Sequence, residues 1–129
     1  MLYWATTSLI ALETFLGGVV DLTHERTGVV SGPFVTQVVT SLGYPVYFLA
    51  IIRVFKIPGA VTILVPGFLR LKEWAYAGIV FEFAGAVASH AASGKWGDSI
   101  APLLLLCLAI ASWALRPASR TLGAQSVKE

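Results

Sequence analysis

Four long apolar runs organise the chain: Leu2 to Val20, Tyr44 to Phe68, Trp74 to Ala92 and Ile100 to Leu115. A helix rising 1.5 Å per residue needs about 20 mostly apolar residues to cross a bilayer core. The first run carries Glu13 as its sole charge, the third holds Glu82 and His90, and the fourth is uncharged. The second is the least secure, because Arg53, Lys56 and the pair Pro58-Gly59 interrupt it and central cations count heavily against insertion. The connections 69–73 and 93–99 are short, so neighbouring helices run in opposite directions. The pattern predicts an all-α membrane protein: an antiparallel four-helix transmembrane bundle over residues 1–116, followed by a polar cytoplasmic tail over 117–129.

The 21–43 connection is the only long one. Gly32-Pro33 supplies a helix start, and Phe34, Val35, Val38, Val39 and Leu42 recur at helical spacing opposite Thr36, Gln37, Thr40 and Ser41. This predicts a short amphipathic helix on the outer membrane surface, serving as a cap on the bundle or as simple packing. No Lys or Arg precedes the first apolar run, which also contains an acid, so it reads as a retained helix and not as a signal peptide. The tail from Pro117 is polar and is expected to be mobile.

Composition supports the membrane reading. Of 129 residues, 57% are hydrophobic and 12% charged, with a mean hydropathy of +0.79; soluble domains carry about 25% charge. The nine Lys and Arg form no basic patch, which removes nucleic acid as a partner. Arg70, Lys72, Arg116, Arg120 and Lys128 fall on one side, and only Arg26 and Lys95 on the other. The positive-inside rule then places both termini in the cytoplasm.

The charges within the runs pair by depth. Glu13 lies roughly 17 Å above the inner boundary and Arg53 roughly 16 Å, while Lys56 and Glu82 both lie roughly 12 Å above it in a core of ~30 Å. Two acids thus face two bases in two layers. Glu13, Gly17, Asp21 and His24 form one stripe on the first helix, and Gly78, Glu82, Gly85 and Ser89 form another on the third. Small residues beside each acid let helices approach closely while the acid points inward. The expected result is a polar interior walled by Leu, Ile, Val and Phe. It serves either as an ion-pair network that specifies helix register or as a site for a proton, ion or small polar ligand.

At the outer mouth, Asp21, His24 and Glu25 end the first helix, His90 ends the third, and Asp98 precedes the fourth. His24, His90 and Asp21 are the residue types of a transition-metal site, of the polar end of a quinone pocket, or of interface histidines bonded to carboxylates. No haem attachment motif is present. Cys107, the lone cysteine, sits among leucines as a small hydrophobe. No hydrolase or phosphate-loop motif occurs, so the sequence shows no catalytic motif of its own and leaves enzyme activity open, with the balance against it.

The segments Tyr3-Trp4-Ala5-Thr6-Thr7, Gly17-Gly18-Val19-Val20-Asp21-Leu22, Leu42-Gly43-Tyr44-Pro45, Lys56-Ile57-Pro58-Gly59-Ala60 and Val65-Pro66-Gly67-Phe68 together resemble the DoxX-like family of small bacterial membrane proteins. Lys72-Glu73-Trp74-Ala75-Tyr76-Ala77-Gly78, Ala88-Ser89-His90 and Trp113-Ala114-Leu115-Arg116-Pro117 continue the resemblance, which covers the chain up to Pro117. In the family pattern one Lys or similar polar residue occupies the middle of the second helix, so Arg53 is an additional charge. The resemblance implies a four-helix bundle in the bacterial cytoplasmic (inner) membrane and a link to quinone-type redox chemistry, as an accessory subunit to a membrane oxidoreductase. Glu13, Asp21, His24, Arg53, Lys56, Glu82 and His90 are the candidate ligand-binding residues for a quinone-like or other amphipathic molecule. Two alternatives stay open. One is a small proton-coupled transporter, which the predicted cationic partner of Glu13 and the one-sided Lys/Arg count speak against. The other is a structural subunit, as a homo-oligomer or within a larger membrane complex.

Overall fold

The computed structural model describes residues 1–27 and 32–124, with the side chains of 1–19 and 36–123. Five α-helices follow in order: α1 Leu2–Thr27, α2 Gly32–Ser41, α3 Tyr47–Leu64, α4 Leu69–Ala92 and α5 Ile100–Ala114. A 3-10 turn, Trp96–Ser99, precedes α5, and two more, Ala118–Arg120 and Leu122–Ala124, follow it. No strand occurs among the described residues.

Local chemistry explains where the helices depart from the expected bounds. α1 continues to Thr27 instead of ending at residue 20, since no Gly or Pro intervenes before Gly28. α3 is shorter than the 44–68 run. Pro66 forces its predecessor out of the helical region, and Val65 is extended at φ −66°, ψ 137°. The chain then reverses through two left-handed residues, Gly67 at φ 80° and Phe68 at φ 52°, so α4 begins at Leu69 and takes in Arg70, Lys72 and Glu73, which were expected in a loop. The helix runs through Pro58, and α2 forms where Gly32-Pro33 predicts it.

α1 packs on α3 and α5, and α4 packs on α3 and α5, giving the four long helices a closed ring of contacts. Ile10, Ala11, Ile63, Tyr76, Ile79, Phe83 and Ala109 form the buried apolar core at its centre. The outward faces are apolar as well: Leu9, Leu12 and Phe15 on α1, Val54 and Phe55 on α3, Trp74 and Phe81 on α4, and Leu103 and Leu104 on α5 are exposed. An apolar surface on every side is untenable in water and suited to lipid. Among the described residues two helical stretches, Tyr47–Leu64 and Trp96–Ala114, are long and apolar enough to cross a membrane. α3 thus qualifies despite its cations, and the stretch containing α5 qualifies as its run predicts.

Candidate functional site

Polar groups inside the ring sort into two clusters separated by the apolar core. The first contains the residues singled out by depth. Lys56 Nζ, from the middle of α3, lies 2.9 Å from the Glu82 carboxylate of α4. On α1, a side chain at Gly17 would place its Cβ 3.2 Å from Lys56 Nζ and 3.9 Å from Glu13 Oε1, so the missing side chain leaves room for the ammonium and the Glu13 carboxylate on the same flank. A Cβ at Gly18 would come within 2.8 Å of Ile57 Cγ1, which shows how closely α1 lies on α3. Arg53, one turn from Lys56 at i, i−3 on the same helix face, is buried. Glu13, Arg53, Lys56 and Glu82 are thus gathered inside the ring. A buried Arg53 and a half-buried Lys56 at this spacing call for acids on the facing helices, because an uncompensated charge there is destabilising.

The small-residue stripes behave differently on the two helices. Those of α1 meet α3, whereas Gly78 and Gly85 of α4 have nothing within 4 Å of an added Cβ and are exposed. The expectation that they bring a helix against Glu82 is corrected. Glu82 reaches its partner by side-chain length, while the glycines, four residues before it and three after, turn outward.

His90, near the end of α4, is half-buried, and its Nδ1 is buried without a hydrogen-bond partner among the described residues. Beside it, Ser89 shares a 2.7 Å hydrogen bond with Tyr44, and Lys95 Nζ donates to Ser41 Oγ at 2.6 Å. These bonds tie the end of α2 and the turn after it to the far end of α4. Asp21 and His24 fall on the last turns of α1, but their side chains lie outside the described residues. No group of three His, Cys, Asp or Glu able to hold a metal occurs among the described residues.

The second cluster, at the end where the start of α1 meets Arg120, lies outside the expected site residues. Ser112 Oγ shares hydrogen bonds of 2.7 Å with Thr7 and 2.8 Å with Tyr76, joining α1, α5 and α4 through three buried hydroxyls. Lys72, wholly buried, donates to the carbonyls of Thr62 at 2.6 Å, Ile63 at 3.3 Å and Val65. Arg120 Nη1 donates to Ile63 O at 3.3 Å, Leu64 O at 3.2 Å and the Tyr3 hydroxyl at 3.2 Å, and its guanidinium lies 4.5 Å from the Trp4 ring. Two cations therefore satisfy the orphan carbonyls at the C-terminus of α3, where the helix dipole favours positive charge. The tail expected to be mobile is pinned at Arg120 by these contacts.

Burial, with Arg120 and Arg116 nearby, lowers the Lys72 ammonium to about 8. The Arg116 guanidinium, 2.7 Å from Glu73, holds that carboxyl below its usual range, assisted by Trp113. Only the spacing of Tyr76 one turn after Lys72 points to this cluster. A search for charges alone passes over hydroxyls.

A small helical protein with an apolar exterior and charges gathered inside is the class these features define. A family model described as the DoxX-like family matches residues 5–112, and the chain belongs to that family. No curated protein and no solved structure matches it.

Proposed function

We propose that this DoxX-like protein is an antiparallel four-helix transmembrane bundle of the bacterial inner membrane with both termini in the cytoplasm. Its interior binds a small amphipathic molecule of quinone type. The observation that carries the reading is the half-buried Lys56–Glu82 contact with Glu13 beside it and the buried Arg53 one turn away. Ionisable groups kept at bilayer depth favour a ligand or ion role. The apolar layer of Ile10, Ile63, Ile79, Phe83 and Ala109 backs this polar half toward the terminal end. That arrangement supports a pocket entered from the α2 side over a route through the bundle. A quinone carbonyl would accept from Lys56 or Arg53, and His90 Nδ1 supplies a further polar atom nearer the entrance. Electron transfer would rest with a partner oxidoreductase.

The test is binding of a short-chain benzoquinone to detergent-purified protein, followed by tryptophan quenching. Saturable binding that weakens at least about tenfold (1.4 kcal/mol) in Lys56→Met and Glu82→Gln, with helicity retained, supports the proposal. Partition without saturation, or equal binding by all three proteins, refutes it.

A further inference from the structure

A groove of about 550 Å³ opens on the outer surface between α4 and α5, away from the polar interior. Ala77, Val80 and Phe81 of α4 and Ile110 of α5 give it an apolar body. From Glu73 to Phe81 it follows α4 for roughly 12 Å at the helical rise. Its terminal end is different in character. There the Glu73 carboxylate accepts from Arg116 Nη1 at 2.7 Å on one oxygen and from Trp113 Nε1 at 3.0 Å on the other. Arg116 lies 5.0 Å from the Tyr76 ring and 5.4 Å from that of Trp113. Arg70, one turn earlier on α4, is exposed. The groove is thus an apolar slot that ends in the Glu73 carboxylate paired with Arg116, with Arg70 three residues earlier on the same helix face. Glu73 is held ionised by its Arg116 bond, so both signs of charge persist there.

We propose that this groove holds an acyl chain of a membrane phospholipid whose headgroup carries a primary ammonium beside its phosphodiester. Each Glu73 oxygen accepts one bond from the protein and has a second lone pair; an ammonium with three donors fits that pair. The phosphodiester then faces Arg70, which forms charge-assisted bonds to phosphate. Trp74 and Trp113 flank the slot at headgroup level, where indoles prefer to lie. Charge complementarity selects this occupant. A purely anionic headgroup can satisfy Arg70 but leaves the free Glu73 lone pairs without a donor, and a quaternary ammonium has no hydrogen to donate to them. A helix from a second copy would have to bury Glu73 and Arg70 against an apolar face. The inference rests on the membrane reading above and is independent of the interior ligand.

The full chain, purified in mild detergent, is incubated with equal amounts of phosphatidylethanolamine, phosphatidylglycerol and phosphatidylcholine of identical acyl chains and examined by native mass spectrometry. The expected result is one retained lipid per chain, with phosphatidylethanolamine favoured at least fivefold. Ala77→Trp, which fills the slot and leaves Glu73, Arg116 and Trp113 in place, lowers retention at least fivefold with unchanged helicity. Glu73→Gln keeps lipid binding and loses the headgroup preference. Equal retention of the three lipids, unchanged retention in Ala77→Trp, or a lipid-free dimer that occupies the groove overturns the proposal. A protein that stays soluble without detergent overturns the membrane reading itself, an outcome distinct from lost preference in a detergent-dependent protein.

Discussion

Lys56 and Glu82 meet at 2.9 Å beside Gly17, the position on α1 where a side chain would crowd the ammonium. A half-buried pair of this kind contributes little net stability, yet removing one partner leaves the other charge poorly balanced. Lys56→Met should therefore destabilise the protein by about 1–3 kcal/mol. The double change Lys56→Met with Glu82→Leu should cost less than Lys56→Met alone. Denaturant unfolding in detergent, arranged as a double-mutant cycle, measures both; additive losses would show that the two residues do not act as a pair.

The approach of α1 to α3 depends on Gly18. Since an added Cβ would lie 2.8 Å from Ile57 Cγ1 and 3.2 Å from Lys56 Cβ, Gly18→Ala should lower stability by about 1–3 kcal/mol through overpacking. Adding Ile57→Val should recover part of the loss. Gly78→Ala and Gly85→Ala, on the open face of α4, should be neutral or stabilising by up to about 1 kcal/mol, the helix-propensity gain. Thermal unfolding of the four proteins distinguishes packed glycines from outward-facing ones.

Removing the Ser112 hydroxyl should weaken the buried trio. Ser112→Ala takes away the partner shared by the Thr7 and Tyr76 hydroxyls and leaves them only each other, an expected loss of about 1 kcal/mol. Thr7→Val, which takes away one member and leaves the Tyr76–Ser112 bond, should cost less. Melting temperatures of the two variants decide the order.

Lys72 makes stability depend on pH. Its folded value of about 8 lies below the ordinary 10.5, so between these values the folded state binds fewer protons than the unfolded chain. Stability from this group therefore rises with pH from about 8 to 10, by at most about 1.4 kcal/mol per pH unit, and is absent below that window. Lys72→Met should flatten the slope while lowering stability at every pH, because the α3 carbonyls lose a donor. Unfolding at pH 8, 9 and 10 checks the sign.

Arg120 holds the tail. Arg120→Ala removes donors to Ile63, Leu64 and Tyr3 and the stacking on Trp4, and should cost about 1–2 kcal/mol. Limited proteolysis after Pro117 should accelerate in the variant. Arg120→Lys should recover only part, since an ammonium lacks the flat fork that reaches several acceptors.

The backbone plan was largely legible before any coordinates. Apolar runs mark α3, α4 and α5 to within a few residues, Gly32-Pro33 marks α2, and depth alone brings Lys56 to Glu82. Those inferences rest on helical rise and hydropathy, which act along a single chain. Helix ends were less readable, because Pro66 and two left-handed residues moved the α3–α4 turn, and α1 had no residue to stop it.

What only the tertiary structure decided is the rotation of each helix about its axis and the partners found across the ring. Sequence spacing gives Gly17 and Gly78 equal standing beside their glutamates; packing turns one against α3 and leaves the other open. Lys72 and Arg120 read as orientation-setting charges, and the fold makes them caps on the α3 carbonyls. The physical reason is common to these cases. Which face is buried, and which orphan carbonyl needs a donor, depends on where the neighbouring helix ends, and that is a property of the assembled ring, not of any one segment.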